Sequence, residues 1–177
     1  MQGRMARWLA AAGLVALASA APAQAAVVQG AVGQGLVRAD DGRIGDFQFR
    51  VEKVLASQDG QDLVRVKGQG AFRLVAPDHA VVEITCKNVR QFVIGDDKKS
   101  AEFAGPALMV VRTPQGVRRV QGVLGWRVAD RGRPGPMNPP DLVGVHFTPA
   151  EGGQPFEFGG VVIRGDVRVF EVTESAP

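Results

Sequence analysis

Cysteine, tyrosine and histidine are scarce in this chain of 177 residues. The single cysteine, Cys86, excludes an intramolecular disulfide. It shares the parity of Val82 and Ile84 in the alternating segment 79–86, which predicts a thiol buried on the inner face of a strand. Tyrosine is absent and Trp126 is the only tryptophan after residue 25. Amphipathic rings on which sugars could stack are therefore in short supply.

Groups that catalyse reactions are also few. The two histidines, His79 and His146, and the three serines after residue 25 lack the Gly-x-Ser-x-Gly context of a nucleophile elbow. The histidines and Cys86 are too widely spaced for the short ligand spacing of a transition-metal site. A Cys86 nucleophile with a histidine base and Asp141 as the orienting group can be written down, but the predicted burial of Cys86 disfavours it. We expect no enzyme activity.

Acidic residues are missing from the first 25 positions, where Arg4 and Arg7 precede an apolar run and the segment ends on Ala23-Gln24-Ala25. This order is typical of a cleavable signal peptide. The apolar run is about a dozen residues long, shorter than the roughly 20 that cross a bilayer. We predict a signal peptide over 1–25 and a single exported all-β domain over 26–177, secreted or periplasmic, without a membrane span after cleavage.

An excess of charge of either sign is lacking in the predicted mature chain, which has 19 Lys and Arg against 18 Asp and Glu. Long basic runs are absent, so we expect no nucleic-acid partner. Arg112, Arg118 and Arg119, with Lys87 and Arg90 near them in sequence, are candidates for a patch that binds an anionic polymer such as an acidic glycan. Charged residues on the outer face of strands usually only solvate the sheet, and we favour that interpretation.

Helical periodicity is absent, and apolar residues instead recur at every second position, as in 47–51 and 124–128. Turn-forming Asp, Pro and Gly clusters separate these segments. The pattern predicts an all-β fold, a β-sandwich or partly closed β-barrel of about eight or nine antiparallel strands. We place strands near 27–38, 44–55, 62–75, 80–87, 89–95, 100–112, 116–129, 142–148 and 157–172.

Glycines inside the predicted strands, at 68, 70, 122 and 125, are typical of bulges or sharp bends. One segment breaks the strand rhythm: 131–141 holds four prolines and cannot pair as a central strand. We predict a long loop there, which serves either as a functional segment or as a crossover between sheets.

Short motifs carry a resemblance to a known group of domains. The segment Gly125-Trp126-Arg127-Val128-Ala129-Asp130 leads into Gly132, and Phe158-Gly159-Gly160-Val161-Val162-Ile163-Arg164-Gly165 follows the loop. With Gly30 to Gly35 and Phe47-Gln48-Phe49, these motifs resemble small all-β domains that recur in secreted bacterial proteins. The resemblance implies a β fold and an extracellular setting; it implies no activity and assigns no site.

Two groups of polar residues are candidate sites. Asp130 and Asp141 bracket the Pro-rich segment and, with His146 and Trp126, form a speculative ligand-binding cluster, although the parity of Trp126 favours the core. Calcium binds clustered carboxylates and loop carbonyls, so it is the metal we consider, and cofactors are otherwise not expected. The calcium candidates are the adjacent pairs Asp40, Asp41 and Asp96, Asp97, which are also ordinary turn formers.

The sequence therefore predicts a non-enzymatic, exported β-domain that acts as a structural or interaction module in the cell envelope or the extracellular space. Its expected partner is a macromolecule of that compartment. The alternative is a secreted ligand-binding or carbohydrate-binding protein. A hydrolase with a site built from loops around the Pro-rich segment is a weaker alternative.

Overall fold

The computed structural model of the chain describes residues 26–58, 61–132 and 138–174. The predicted signal peptide, 1–25, and the centre of the Pro-rich segment, 133–137, lie outside the described residues. No helix in the described part of the chain is long and apolar enough to cross a membrane.

The described residues form nine strands, and the ends of each strand lie within three residues of the predicted ends. The alternation of buried and exposed side chains is the physical reason for their formation, since a strand places successive side chains on opposite faces. The strands are β1 (Ala26–Arg38), β2 (Ile44–Gln58), β3 (Gln61–Val75), β4 (Val81–Cys86), β5 (Gln91–Ile94), β6 (Ser100–Thr113), β7 (Gly116–Ala129), β8 (Leu142–Pro149) and β9 (Phe156–Glu174).

All nine strands pair in one antiparallel sheet with the order β4-β3-β2-β1-β9-β8-β7-β6-β5. Strand β6 has two partners on the same edge: its residues 101–104 pair with β5, and its residues 107–112 pair with β4. The β4–β6 pairing joins the two ends of the sheet, so the strands form a ring. The predicted fold class, an all-β sandwich or partly closed barrel of eight or nine antiparallel strands, is confirmed.

The inner face of the ring is filled by apolar side chains, among which aromatic rings from distant strands meet. Phe49 lies 5.4 Å from Trp126 and 5.2 Å from Phe103 between ring centroids, and Phe103 stacks on Trp126 at 5.8 Å. Each such pair adds about 0.5–1.5 kcal/mol beyond the burial of its area. The predicted core position of Trp126 is confirmed, since the residue is 3% exposed.

Of the bulges or sharp bends predicted at the strand glycines, the bulges are absent from the described ladders, and the bends stay a prediction. Gly68, Gly70 and Gly122 keep their partners in uninterrupted ladders. Their absent side chains instead leave room inside the ring, because a Cβ at Gly70 would press on the indole of Trp126. The described irregularity lies where β1 pairs with β9, between Leu36 and Val37.

Strand β9 is longer than its neighbour β8 and extends beyond the region where the two strands pair. It pairs with β8 only over 156–161 but continues beside β1 to Glu174. Beyond Val161 one edge of β9 therefore has no strand partner, and its backbone N–H groups need other acceptors.

Alanine substitutions at two glycines on neighbouring strands test whether the packing tolerates a side chain at each position. Gly122→Ala should lower the free energy of unfolding by about 1–3 kcal/mol, because the added Cβ would overlap the Phe147 ring and the Thr148 carbonyl oxygen. Gly144→Ala is the matched control: its Cβ would meet nothing closer than 3.6 Å, so we expect a change between zero and about 1 kcal/mol of stabilisation. Urea denaturation measures both. Equal losses would contradict the steric explanation.

Candidate functional site

Asp141 is a buried carboxylate, 3% exposed, at the start of β8. Its Oδ1 accepts a hydrogen bond from the backbone N–H of Arg131 at 2.8 Å, and its Oδ2 accepts one from that of Val167 at 3.0 Å. Its own backbone carbonyl accepts from the N–H of Val162 at 2.9 Å. Asp141 thus supplies an acceptor to the edge of β9 that β8 leaves unpaired.

Asp130 accepts a hydrogen bond from the same edge of β9, two residues beyond Val167. Its Oδ2 accepts from the N–H of Val169 at 3.2 Å, and its Oδ1 accepts from that of Gly132 at 2.9 Å. The structure therefore brings Asp130 and Asp141 together, as the candidate cluster required. Both carboxylates are engaged by backbone donors, which gives them a structural role in fastening the Pro-rich segment to β9.

The environment of Asp141 disfavours its charge. Burial raises the pKa of this carboxyl, and the nearby negative charges of Asp130 and Asp166 add to the rise. The N–H donors of Arg131 and Val167 act in the opposite direction because they stabilise the ionised form.

His146 lies apart from the two aspartates, on the outer face of β8, with Val145 and Phe147 inward. Its Nδ1 is 3.1 Å from Oε1 of Glu157, and its Nε2 is 2.9 Å from Oγ1 of Thr148. This outward orientation follows from the alternation of His146 with the buried Val145 and Phe147. Because Asp141 faces inward and His146 outward, the structure does not join them in one cluster.

Trp126 and Cys86 belong to the core. The indole of Trp126 packs between Phe49 and Phe103 and presents no face to the surface, so a sugar platform cannot form there. Its Nε1 has no hydrogen-bond partner within the described residues. Cys86 is 1% exposed, and burial raises the pKa of its thiol. The predicted burial of Cys86 is confirmed.

An open depression with a volume of about 890 Å³ surrounds His146 on the outer face of β6 to β9. We call it the His146 groove. Glycines form part of its floor, where a Cβ at Gly125, Gly144 or Gly159 would meet nothing closer than 3.6 Å. Its charged side chains are paired with one another, for example Arg127 Nε with Oε1 of Glu102 at 2.8 Å.

A second depression of about 850 Å³ crosses the outer face of β9, β1, β2, β3 and β4. We call it the glutamine groove. Its polar side chains come from five strands that the ring places side by side, and all are exposed. They are Gln34, Gln48, Arg50, Gln69, Thr85, Lys87, Asp166 and Arg168.

Strand register aligns these side chains in two rows. Gln34 is the direct partner of Gln48, and the same row passes from Asp166 on β9 to Thr85 on β4. In the adjacent row Arg50 pairs in register with Gln69, and Arg168 begins that row on β9. Each row has one apolar position, Ala71 on β3 in the first and Val32 on β1 in the second. The two rows together place at least one hydrogen-bonding side chain on each strand, with strands about 4.8 Å apart.

The side-chain amides of the glutamine groove have no hydrogen-bond partners among the described residues. Within the described residues, the side chains of Gln34, Gln48 and Gln69 make no hydrogen bond to other protein groups. By contrast, the polar groups of the His146 groove and of the Asp130 and Asp141 pair largely bond to one another or to the backbone. The glutamine groove therefore has more hydrogen-bonding capacity left for a partner than the His146 groove has.

Sequence reasoning missed this groove. Gln34 and Gln48 alternate with buried residues, which is also the pattern of any solvated strand face. The basic patch considered from sequence does not assemble: Arg112 bonds to Glu83, and Arg118 lies towards the β6–β7 turn. Only Lys87 of that set lines the glutamine groove.

The predicted calcium positions lie in turns. Oδ1 of Asp41 accepts from the N–H of Arg43, and Oδ1 of Asp97 accepts from those of Lys99 and Ser100. These bonds lower the pKa of both carboxyls. No group of three His, Cys, Asp or Glu side chains converges within the part of the chain that the structure describes. Calcium binding at Asp40, Asp41, Asp96 and Asp97 stays a prediction.

The chain matches no protein-family model, no curated protein and no solved structure in the comparisons with known proteins. The resemblance to secreted bacterial β-domains stays a prediction. A function for the chain must therefore be argued from the geometry and chemistry of its own residues.

Asp141→Asn should lower the free energy of unfolding by about 1–3 kcal/mol, because one of its two backbone donors would face an amide NH₂. The loss should be largest near pH 4 and shrink towards about pH 7. The raised pKa means that the folded state favours the protonated carboxyl, so the wild type loses stability as pH rises through that pKa. The asparagine of the variant does not titrate, so its stability lacks this pH dependence.

Denaturant unfolding across this pH range measures the difference between the two proteins. Asp40→Asn, at an exposed turn carboxylate, is the control and should change the stability little at any pH. A difference between wild type and Asp141→Asn that grows with rising pH would contradict the direction of the pKa shift.

Proposed function

We propose that this protein is an exported, non-enzymatic β-domain that acts as an interaction module in the cell envelope or the extracellular space, with the glutamine groove as its binding surface. The observation that carries the proposal is the pair of polar rows across five strands, in which three exposed amides have no partner among the described residues. Each amide offers two donors and an acceptor.

Export is supported by the signal-peptide pattern of the first 25 residues. The core of the described residues is built from apolar side chains and needs no disulfide, since the only cysteine is a buried thiol.

A binding role is supported over catalysis by the state of the polar groups. Asp130 and Asp141, the acids that a hydrolase would have offered at the Pro-rich segment, accept backbone hydrogen bonds in the described structure. Cys86 is buried, away from the outward-facing His146. The groove residues, in contrast, suit recognition, because they are side chains fixed on paired strands.

The shape of the groove favours an elongated partner. The two rows run across the strands rather than along one strand, so a chain lying in the groove would meet a new donor or acceptor at each strand. The paired strands fix the backbone from which these side chains project, so binding does not have to order the backbone.

We expect a triple variant, Gln34→Ala, Gln48→Ala and Gln69→Ala, to bind insoluble cell-envelope material from the producing cells roughly tenfold more weakly than wild type. Loss of several hydrogen bonds to a partner, each contributing about 0.5–1.5 kcal/mol, produces a change of that size. Co-sedimentation over a range of protein concentrations measures the affinity.

The control removes three exposed glutamines that lie outside the groove, Gln115, Gln121 and Gln154, by the same substitution to alanine. It should bind as wild type does, and thermal unfolding should show that both variants remain folded. Equal binding by wild type and the groove variant, or no binding by wild type, would overturn the proposed function.

A further inference from the structure

We propose that the ligand of the glutamine groove is an acidic polysaccharide, a chain of sugars that carries carboxylates as well as hydroxyls. This inference rests on the proposed function, since it names the ligand class of the same groove. Two kinds of side chain in the groove suit such a ligand. Neutral amides and a hydroxyl follow Asp166 in one row, and cations lie in and next to the other row, which also holds Gln69.

The neutral groups match sugar hydroxyls. Gln34 and Gln48 are direct cross-strand partners, and Thr85 ends the same row on β4. An amide and a hydroxyl each donate and accept hydrogen bonds, as a sugar hydroxyl does. Directly opposite side chains have Cβ atoms about 5 Å apart, close enough for neighbouring hydroxyls of one sugar to bond to two amides.

The cations match carboxylates. Arg168 and Arg50 stand on either side of Val32 in the second row, two strand spacings or about 10 Å apart. Lys87 lies beyond Thr85 and makes no bond to other described residues. An arginine presents a planar fork of donors that fits a carboxylate with two parallel hydrogen bonds.

The existing ion pairs of these arginines can be exchanged for a ligand. Arg50 is 73% exposed while it bonds to Glu52, and Arg168 is 71% exposed with its Nε 3.9 Å from Asp166. The Arg168–Asp166 pair is exposed on both sides, and such pairs contribute little to stability. Glu52 is 16% exposed but also pairs with Lys67 at 3.1 Å, so it keeps a cation when Arg50 turns to a ligand. A ligand carboxylate can therefore take over a guanidinium donor with little loss to the fold.

Charge favours an acidic ligand over a neutral one. Three cationic side chains, of Arg50, Lys87 and Arg168, line the groove together with one carboxylate, Asp166. The Glu52 carboxylate that bonds to Arg50 also binds a further lysine, so a surplus of cations remains. The predicted exported chain as a whole is nearly neutral, so the positive surplus is local. Cationic grooves attract anionic chains by long-range steering as well as by contact.

Other polymers fit the groove less well. Tight binding of single-stranded nucleic acid relies on aromatic side chains that stack with bases, and the exposed side chains here include no aromatic ring. The centre of a stable protein interface is apolar, whereas Val32 and Ala71 are the apolar side chains among the exposed residues that line this groove.

The test compares two forms of one polymer, polygalacturonate and its fully methyl-esterified form, which has the same sugar chain without the negative charges. Isothermal titration calorimetry with the purified protein should show binding of the acidic form at least tenfold tighter than of the ester. Raising the salt concentration from about 0.01 to 0.15 M should weaken the binding, because screening shortens the reach of charge.

The groove variant carries Arg50→Gln, Lys87→Gln and Arg168→Gln, which remove the charges but keep polar side chains. It should bind polygalacturonate at least tenfold more weakly than wild type. The control variant carries Arg118→Gln, Arg119→Gln and Lys99→Gln, an equal change in net charge at exposed positions outside the groove. It should bind within about twofold of wild type.

Four results would overturn the inference. The ester could bind as tightly as the acid, the two charge variants could weaken binding equally, or polyphosphate could bind as tightly as polygalacturonate and depend on the same three residues. Absence of binding to polygalacturonate would overturn it as well. In each case, glutamine-dependent binding of envelope material would leave the proposed function standing, and its absence would remove both.

Discussion

The pairing of β4 with the second half of β6 is the contact on which the domain depends. It joins the two ends of one antiparallel sheet, so every strand acquires an inner and an outer face. Because no helix covers the sheet in the described residues, side chains alone must fill the ring. Rings from β2, β6 and β7 therefore meet at its centre, and glycines such as Gly70 and Gly122 occur where the opposite rings need the space.

Closure of the ring still leaves part of one strand edge without a strand partner among the described residues. The strands have unequal lengths, and β9 extends well past the start of β8. Two carboxylates, Asp130 and Asp141, replace the absent strand by accepting hydrogen bonds from backbone N–H groups of β9. The acids that bracket the Pro-rich segment in sequence are thus explained by backbone satisfaction, and a catalytic role is not needed to account for their burial.

The outer face of the ring holds the polar side chains that could bind a partner. In the His146 groove most polar side chains bond to one another, as Arg127 does to Glu102 and His146 to Glu157. In the glutamine groove three amides and Lys87 make no bond to other described residues, and the two arginines have partners that a ligand can replace. The difference between the two depressions lies in the state of their polar groups rather than in volume, and it directs the proposed function to the glutamine groove.

The sequence by itself determined the nine strands and the face on which each side chain lies, because alternation and turn residues are local signals. The burial of Cys86 and Trp126 and the outward position of His146 follow from parity alone. Only the tertiary structure decided which strands are neighbours: β1 beside β9, and β4 beside β6, join segments far apart in the chain. The glutamine groove draws residues from 34 to 168, so no local pattern could reveal it. The physical reason is that alternation fixes a face but not a partner, and the partner depends on how the whole ring closes.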